Sequence, residues 1–178
     1  ITVLSNNYEV IDTIKTQNDV LCILENTNRV FIGHAGNGLS YYYDNQLYNY
    51  CGQNGLGYSA VLDIASTRTG KVWLINNRSI IEFDNIIWKQ HPAPTSYSSE
   101  SKIAIDTNNQ IWIVWDKKLY RYTDSSYQQI PTEMISAEGI QELLVDSFNR
   151  VWCTSIEGEV YYYYEGAWHY DYNCATEL

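Results

Sequence analysis

The residues of this chain best suited to proton transfer or metal ligation near neutral pH are three histidines, His34, His91 and His169. They fall in separate segments at non-equivalent positions, so no pair of them is set up by spacing for either task. No Gly-x-Ser-x-Gly, His-Glu-x-x-His, phosphate loop or dinucleotide fingerprint occurs. Asp106 and Asp146 occupy the same place in two repeated segments, which fits carboxylates bonding their own turn backbone better than an acid–base pair. The four cysteines, Cys22, Cys51, Cys153 and Cys174, form no CxxC or CxH pair, which leaves a zinc site without support. Cys22 and Cys153 lie in apolar runs, where free buried thiols belong. Cys51 and Cys174 each follow the end of a repeat, and a bridge between them stays open. The chemistry expected is therefore recognition: no catalytic residue, no metal, no cofactor, and a module that is not an enzyme.

What must position any binding groups is a repeat. Four segments superimpose: Asn28-Arg29-Val30-Phe31, Gly70-Lys71-Val72-Trp73, Asn109-Gln110-Ile111-Trp112 and Asn149-Arg150-Val151-Trp152. Their aromatics are 42, 39 and 40 residues apart. After each comes an apolar residue followed three positions later by an aromatic: Leu39 and Tyr42, Ile80 and Phe83, Leu119 and Tyr122, Val160 and Tyr163. Each unit divides into four strands, the second apolar at nearly every position, as in Ile111-Trp112-Ile113-Val114-Trp115. Continuous apolarity implies burial on both faces, whereas a β-sandwich strand alternates because one face is wet. Segment 137–145 comes nearest to a helical pattern, but its alignment with the other first strands favours strand. Four-stranded units of about 40 residues stacked face to face make an all-β propeller. The expected division is a half blade at 1–17 and blades at 18–57, 58–98, 99–136 and 137–178. In the half blade Val3 takes the place of Tyr42 and Tyr8 that of Leu47. Three readings of it are open: a fragment of a longer propeller, which is preferred, a five-bladed ring with one thin blade, or strands supplied by a second copy.

Composition narrows the partners. With 17 Tyr and 6 Trp among 178 residues, the chain is rich in rings that pack on pleated surfaces. A net charge of −10 argues against nucleic acid and against docking on anionic lipid. No apolar run is long enough for a membrane span and no signal peptide opens the chain, which suggests a mature product or a piece of something longer. Asn77-Arg78-Ser79 fits a glycosylation acceptor, although one such triplet is expected by chance in so Asn- and Ser-rich a chain.

The repeat resembles the two-component regulator propeller repeat, on Asp106-Thr107-Asn108-Asn109-Gln110-Ile111-Trp112-Ile113, Asp146-Ser147-Phe148-Asn149-Arg150-Val151-Trp152-Cys153-Thr154, Phe31-Ile32-Gly33-His34 with Gly38-Leu39-Ser40-Tyr41-Tyr42, and Leu119-Tyr120-Arg121-Tyr122. Asn stands for the turn Gly in three of the four units. The resemblance implies an extracytoplasmic sensor-type module, often for carbohydrate. Ligands on propellers gather at the channel mouth, where the second-to-third-strand loops offer His34, Asn37, Asn76, Arg78, Asp116, Lys117 and Glu157, and the unit-joining loops Tyr58, His91 and Tyr97. Alternate members of Tyr161, Tyr162, Tyr163 and Tyr164 face opposite ways, so one set on an outermost blade would form an interface. The leading expectation is a binding or sensing module for a glycan or protein partner. The second is an assembly protein, a homo-oligomer joined through blade edges and tyrosine faces.

Overall fold

The computed structural model of the chain describes residues 1–4, 6–50, 59–84, 86–123, 125–135 and 139–171. Among them there is no helix; the fold is all-β. A hairpin, β1 (Thr2–Leu4) with β2 (Val10–Thr13), precedes four four-stranded antiparallel sheets. The first sheet is β3 (Val20–Asn26), β4 (Arg29–His34), β5 (Leu39–Tyr43) and β6 (Gln46–Tyr50). The second is β7 (Asp63–Ser66), β8 (Val72–Ile75), β9 (Ser79–Phe83) and β10 (Trp88–Pro92). The third is β11 (Ser101–Ile105), β12 (Ile111–Trp115), β13 (Lys118–Thr123) and β14 (Ser126–Gln129), and the last β15 (Ile140–Val145), β16 (Val151–Ser155), β17 (Val160–Tyr164) and β18 (Ala167–Tyr170). Strands follow chain order across every sheet, and the first strands β3, β7, β11 and β15 are neighbours in succession. These are propeller blades. Segment 140–145 is strand, not helix.

One hydrophobic cluster fills each gap between successive four-stranded sheets. Phe31 and Leu39 meet Val72, Leu74, Ile81 and Phe83; Trp73, Ile75 and Ile80 meet Ile111, Ile113 and Tyr122; Trp112, Val114 and Leu119 meet Val151, Cys153 and Tyr161. Odd and even residues of β8 and β12 thus serve different neighbours, which is why both strands are buried throughout. The same ring contact recurs at each gap: Phe31 with Phe83 at 6.4 Å, Trp73 with Tyr122 at 5.9 Å, and Trp112 with Tyr163 at 6.0 Å. Interplanar angles of 62–69° make all three edge-to-face, the arrangement the ring quadrupole favours.

The turns between first and second strands carry most of the polar order. Gly70, Asn109 and Asn149 take left-handed backbone there, while in the first sheet Thr27 does so, not Asn28. Asn has a further use that Gly lacks. Asn109 Oδ1 accepts from the Arg68 amide at 3.1 Å, and Asn149 Oδ1 from the Thr107 amide and hydroxyl at 2.9 and 2.7 Å. Each ties a turn to the equivalent turn one blade earlier. Asp106 Oδ1 accepts from the amides of Asn108 and Gln110, with Trp112 Nε1 at 3.3 Å from Oδ2. Asp146 does the same with Phe148, Arg150 and Trp152, and adds Arg150 Nε at 2.6 Å. Both carboxylates are turn acceptors.

The N-terminal hairpin differs from its expected register. Val3 pairs with Asp12 and Leu4 with Val10, with an irregularity between Val3 and Leu4. Tyr8 therefore lies in the connection, with φ 62° and 85% exposed, and does not fill the Leu47 position. Ile14 is buried, and the Tyr42 hydroxyl donates to Asp12, so the hairpin lies against the first sheet.

Candidate ligand-binding site

The segment joining the hairpin to the first sheet, Lys15 to Asn18, passes over the end of that sheet and closes a cavity of about 350 Å³. The remaining walls are His34 at the end of β4, Asn37 in the following loop, Ser40 on β5, and Leu47 and Asn49 on β6. Register explains the convergence. Ser40 lies directly across from Asn49 in the β5–β6 pairing, and the tight loop 35–38 returns the chain beside His34. That loop needs positive φ at Asn37 and Gly38, and both have it.

A polar chain runs along the wall. His34 Nε2 is 2.7 Å from Ser40 Oγ, which donates to Asn49 Oδ1 at 2.6 Å. His34 is only 3% exposed, yet its Nδ1 has no hydrogen-bond partner; the Asn18 carbonyl acts on the ring without completing a bond. Burial lowers the pKa of His34, with the Asn18 backbone opposing, so the neutral ring is favoured at neutral pH. A buried, unpaired ring nitrogen costs free energy unless something fills it. Asn37 Nδ2 donates to Asn18 Oδ1 at 3.2 Å, bracing the rim. The lining is amide, hydroxyl, imidazole and one ammonium, with a single aliphatic side chain.

The other sequence candidates are not gathered there. Asp116 and Lys117 border a broad concavity of about 780 Å³ with Lys118, Gln129, Thr132 and Glu133, and both have positive φ in the turn between β12 and β13. Asn76 is buried and accepts from the amides of Arg78 and Ser79 at 2.8 Å, which makes it a turn residue. Arg78 and Glu157 are exposed in their loops, and Tyr97 is exposed between β10 and β11. His91 is not in a loop: it is buried on β10, stacked on Trp73 at 5.0 Å, with Tyr122 Oη 2.7 Å from Nδ1 and Glu82 3.1 Å from Nε2. Both ring nitrogens have partners, Nδ1 across the gap in Tyr122 and Nε2 on the neighbouring strand in Glu82. Tyr58, Cys51 and Cys174 lie outside the described residues. Cys22 and Cys153 are free thiols.

The tyrosine run divides as alternation requires. Tyr161 and Tyr163 pack inward against the third sheet. Tyr162 faces the other way, in a cross-strand row with Leu144, Trp152 and His169. That face of the last sheet repeats the covered face of the first. Tyr162 stacks on His169 at 4.7 Å and 12°, as Tyr41 stacks on Tyr48 at 4.8 Å and 11°. Arg150 lies over Tyr162 at 5.5 Å, as Arg29 lies over Tyr41 at 5.5 Å. Leu24 packs into the first cluster, whereas its counterpart Leu144 is 64% exposed. Accordingly β16 alternates in burial where β8 and β12 do not.

No protein-family model matches the chain, and no curated protein matches it by sequence. Solved structures match in fold. Virginiamycin B lyase from Staphylococcus aureus aligns over 93% of this chain with a TM-score of 0.77 and 16% identity. The extracellular domain of a putative one-component system from B. thetaiotaomicron aligns over 96% with a TM-score of 0.73 and 19% identity. A putative gluconolactonase aligns over 91% with a TM-score of 0.70 and 11% identity. The chain spans 60% of the lyase and 25% of the extracellular domain. At these identities the likeness is one of fold. It corrects one expectation, that the chain is not an enzyme: a lyase and gluconolactonases are built on this fold, so missing sequence motifs carry no such exclusion. Loops from separate blades bring catalytic groups together in a propeller, leaving no local signature to find.

Proposed function

We propose that this chain is a ligand-recognition segment of a sensor-type propeller, acting outside the cytoplasm and taking a hydroxyl-rich ligand of sugar size in the His34 cavity. One observation carries the reading: a polar cavity large enough for a monosaccharide, walled by the hydrogen-bonded His34–Ser40–Asn49 chain and four further amide or hydroxyl side chains. Thr16, Gln17, Asn18, Asn37 and Asn49 supply amides and hydroxyls, which match the in-plane donors and acceptors of a sugar ring. The likeness in fold to extracellular sensor domains supports the location and the sensing role. Calorimetric titration with a panel of neutral monosaccharides tests it. Binding is expected and should be lost in Asn49→Ala and His34→Ala; no heat from any sugar up to tens of millimolar refutes the reading.

A second reading is favoured by the open face of the last sheet, whose rows copy the face that the second sheet covers. On this reading another β-sheet seats there and the chain assembles. Light scattering across micromolar concentrations decides: a strict monomer refutes assembly through self-contact, and loss of association in Trp152→Asp supports it.

A further inference from the structure

The cavity differs from the rest of the molecule in its charge. The chain has 21 acidic and 11 basic residues, a net charge of −10, yet among the described residues no carboxylate lines this cavity and one ammonium, Lys15, does. Asp19 is the nearest acid in sequence; it is exposed, outside the lining, and its main-chain carbonyl accepts from the Ala35 amide. The donors inside also outnumber what the protein uses. The Asn18 side chain spends its oxygen on Asn37 and keeps its amide N–H groups, and those of Asn49 likewise remain once its oxygen accepts from Ser40. Sugar hydroxyls can accept from such amides, but a neutral sugar leaves the charge of Lys15, which no carboxylate of the lining offsets, unmatched. An anion matches it, because a carboxylate accepts only, at up to four lone-pair sites.

We infer that the ligand is a carboxylate-bearing sugar of the uronic-acid class, its carboxylate held at the mouth by Lys15 and the Asn18 amide and its ring set against the His34–Ser40–Asn49 wall. The inference rests on the reading of this cavity as a sugar site. Lys15 is exposed, so its pair with the carboxylate is worth only a few-fold, while amide donors inside the cavity add to it without screening by solvent. The division of labour is specific: the polar wall recognises the sugar body, and the rim reads the charge.

The intact chain is titrated with glucuronate, with its uncharged methyl ester and with glucose, at low and at physiological salt. Glucuronate is expected to bind at least threefold more tightly than the ester, with the advantage shrinking at higher salt. Lys15→Gln, a rim change on an exposed side chain, should cut the glucuronate-over-ester ratio by about twofold or more, a ratio read within the variant so that any general loss of sugar binding cancels. Equal affinity for acid and ester overturns the charge inference while the sugar site stands. An acid preference that is undiminished in Lys15→Gln also overturns it, since the charge is then read elsewhere. If none of the three ligands binds, the sugar site itself falls and the inference with it.

Discussion

Replacing Asp146 by Asn keeps the shape of the side chain and removes its charge. In the native turn Oδ1 accepts from the amides of Phe148 and Arg150 at 2.9 and 3.0 Å, and an Asn oxygen can keep both. Oδ2 accepts from Trp152 Nε1 at 2.9 Å and Arg150 Nε at 2.6 Å; an Asn amide places N–H groups against those two donors. Two charge-assisted bonds at about 1.5–3 kcal/mol each set an upper range of about 3–6 kcal/mol. The carboxylate is 20% exposed, so water recovers part of this, and a net loss of about 2 kcal/mol is expected. The pH dependence gives an independent check. Desolvation raises the Asp146 pKa, but the bonds from Trp152, Arg150 and Phe148 outweigh it and hold it at about 2. Because the folded value is depressed, the stabilisation is complete above the unfolded value near 4 and is lost as pH falls toward 2. Urea unfolding followed by tryptophan fluorescence should show the full gap between wild type and Asp146→Asn at pH 7, a smaller one at pH 3, and almost none near pH 2. A gap below about 0.5 kcal/mol at pH 7, or one that persists undiminished at pH 2.5, refutes the reasoning.

Gly33→Ala should destabilise by about 1–3 kcal/mol, because the new methyl would stand 2.8 Å from Val61 Cγ1 and press on Cys22 Sγ. Val61→Ala in the same chain should recover part of the loss, and denaturant midpoints for the four species measure the coupling. Tyr122→Phe removes the hydroxyl 2.7 Å from His91 Nδ1 in the core and should cost about 1–2 kcal/mol by the same assay. Burial pushes the thiols of Cys22 and Cys153 up to about 12, leaving roughly one thiolate in 10⁴ at pH 8. Iodoacetamide at pH 8 should therefore spare both in the native chain and label both in urea, as read by peptide mass spectrometry.

The blades were legible because each unit repeats its burial pattern. Trp73 and Trp112 declare a doubly buried strand by what flanks them, and alternation along Tyr161 to Tyr164 splits that run correctly. Placement across gaps was not legible. His91 reads as a loop residue next to Pro92, yet β10 extends to Pro92 and turns the ring between Trp73 and Tyr122. The half blade misled because an irregular register and a longer connection moved Tyr8 out of the strand. Loop position nominates His34 and Asn37, which line the cavity, whereas Lys15 to Asn18 line it from a unit-joining segment in which no residue type or spacing stands out. Ser40 and Asn49 became part of the site only through pairing across a hairpin, which no short motif encodes.

The bonds from Arg68 to Asn109 and from Thr107 to Asn149 reach across 41 and 42 positions, about one repeat length. A gene that duplicates the third or the fourth unit, each with Asn at this turn, therefore recreates the acceptor at the new junction, in phase with its donor. A duplication of one and a half units puts the donor opposite the wrong strand and leaves the acceptor without its partner. The turn asparagines thus mark the frame in which a change by whole repeats keeps this bond.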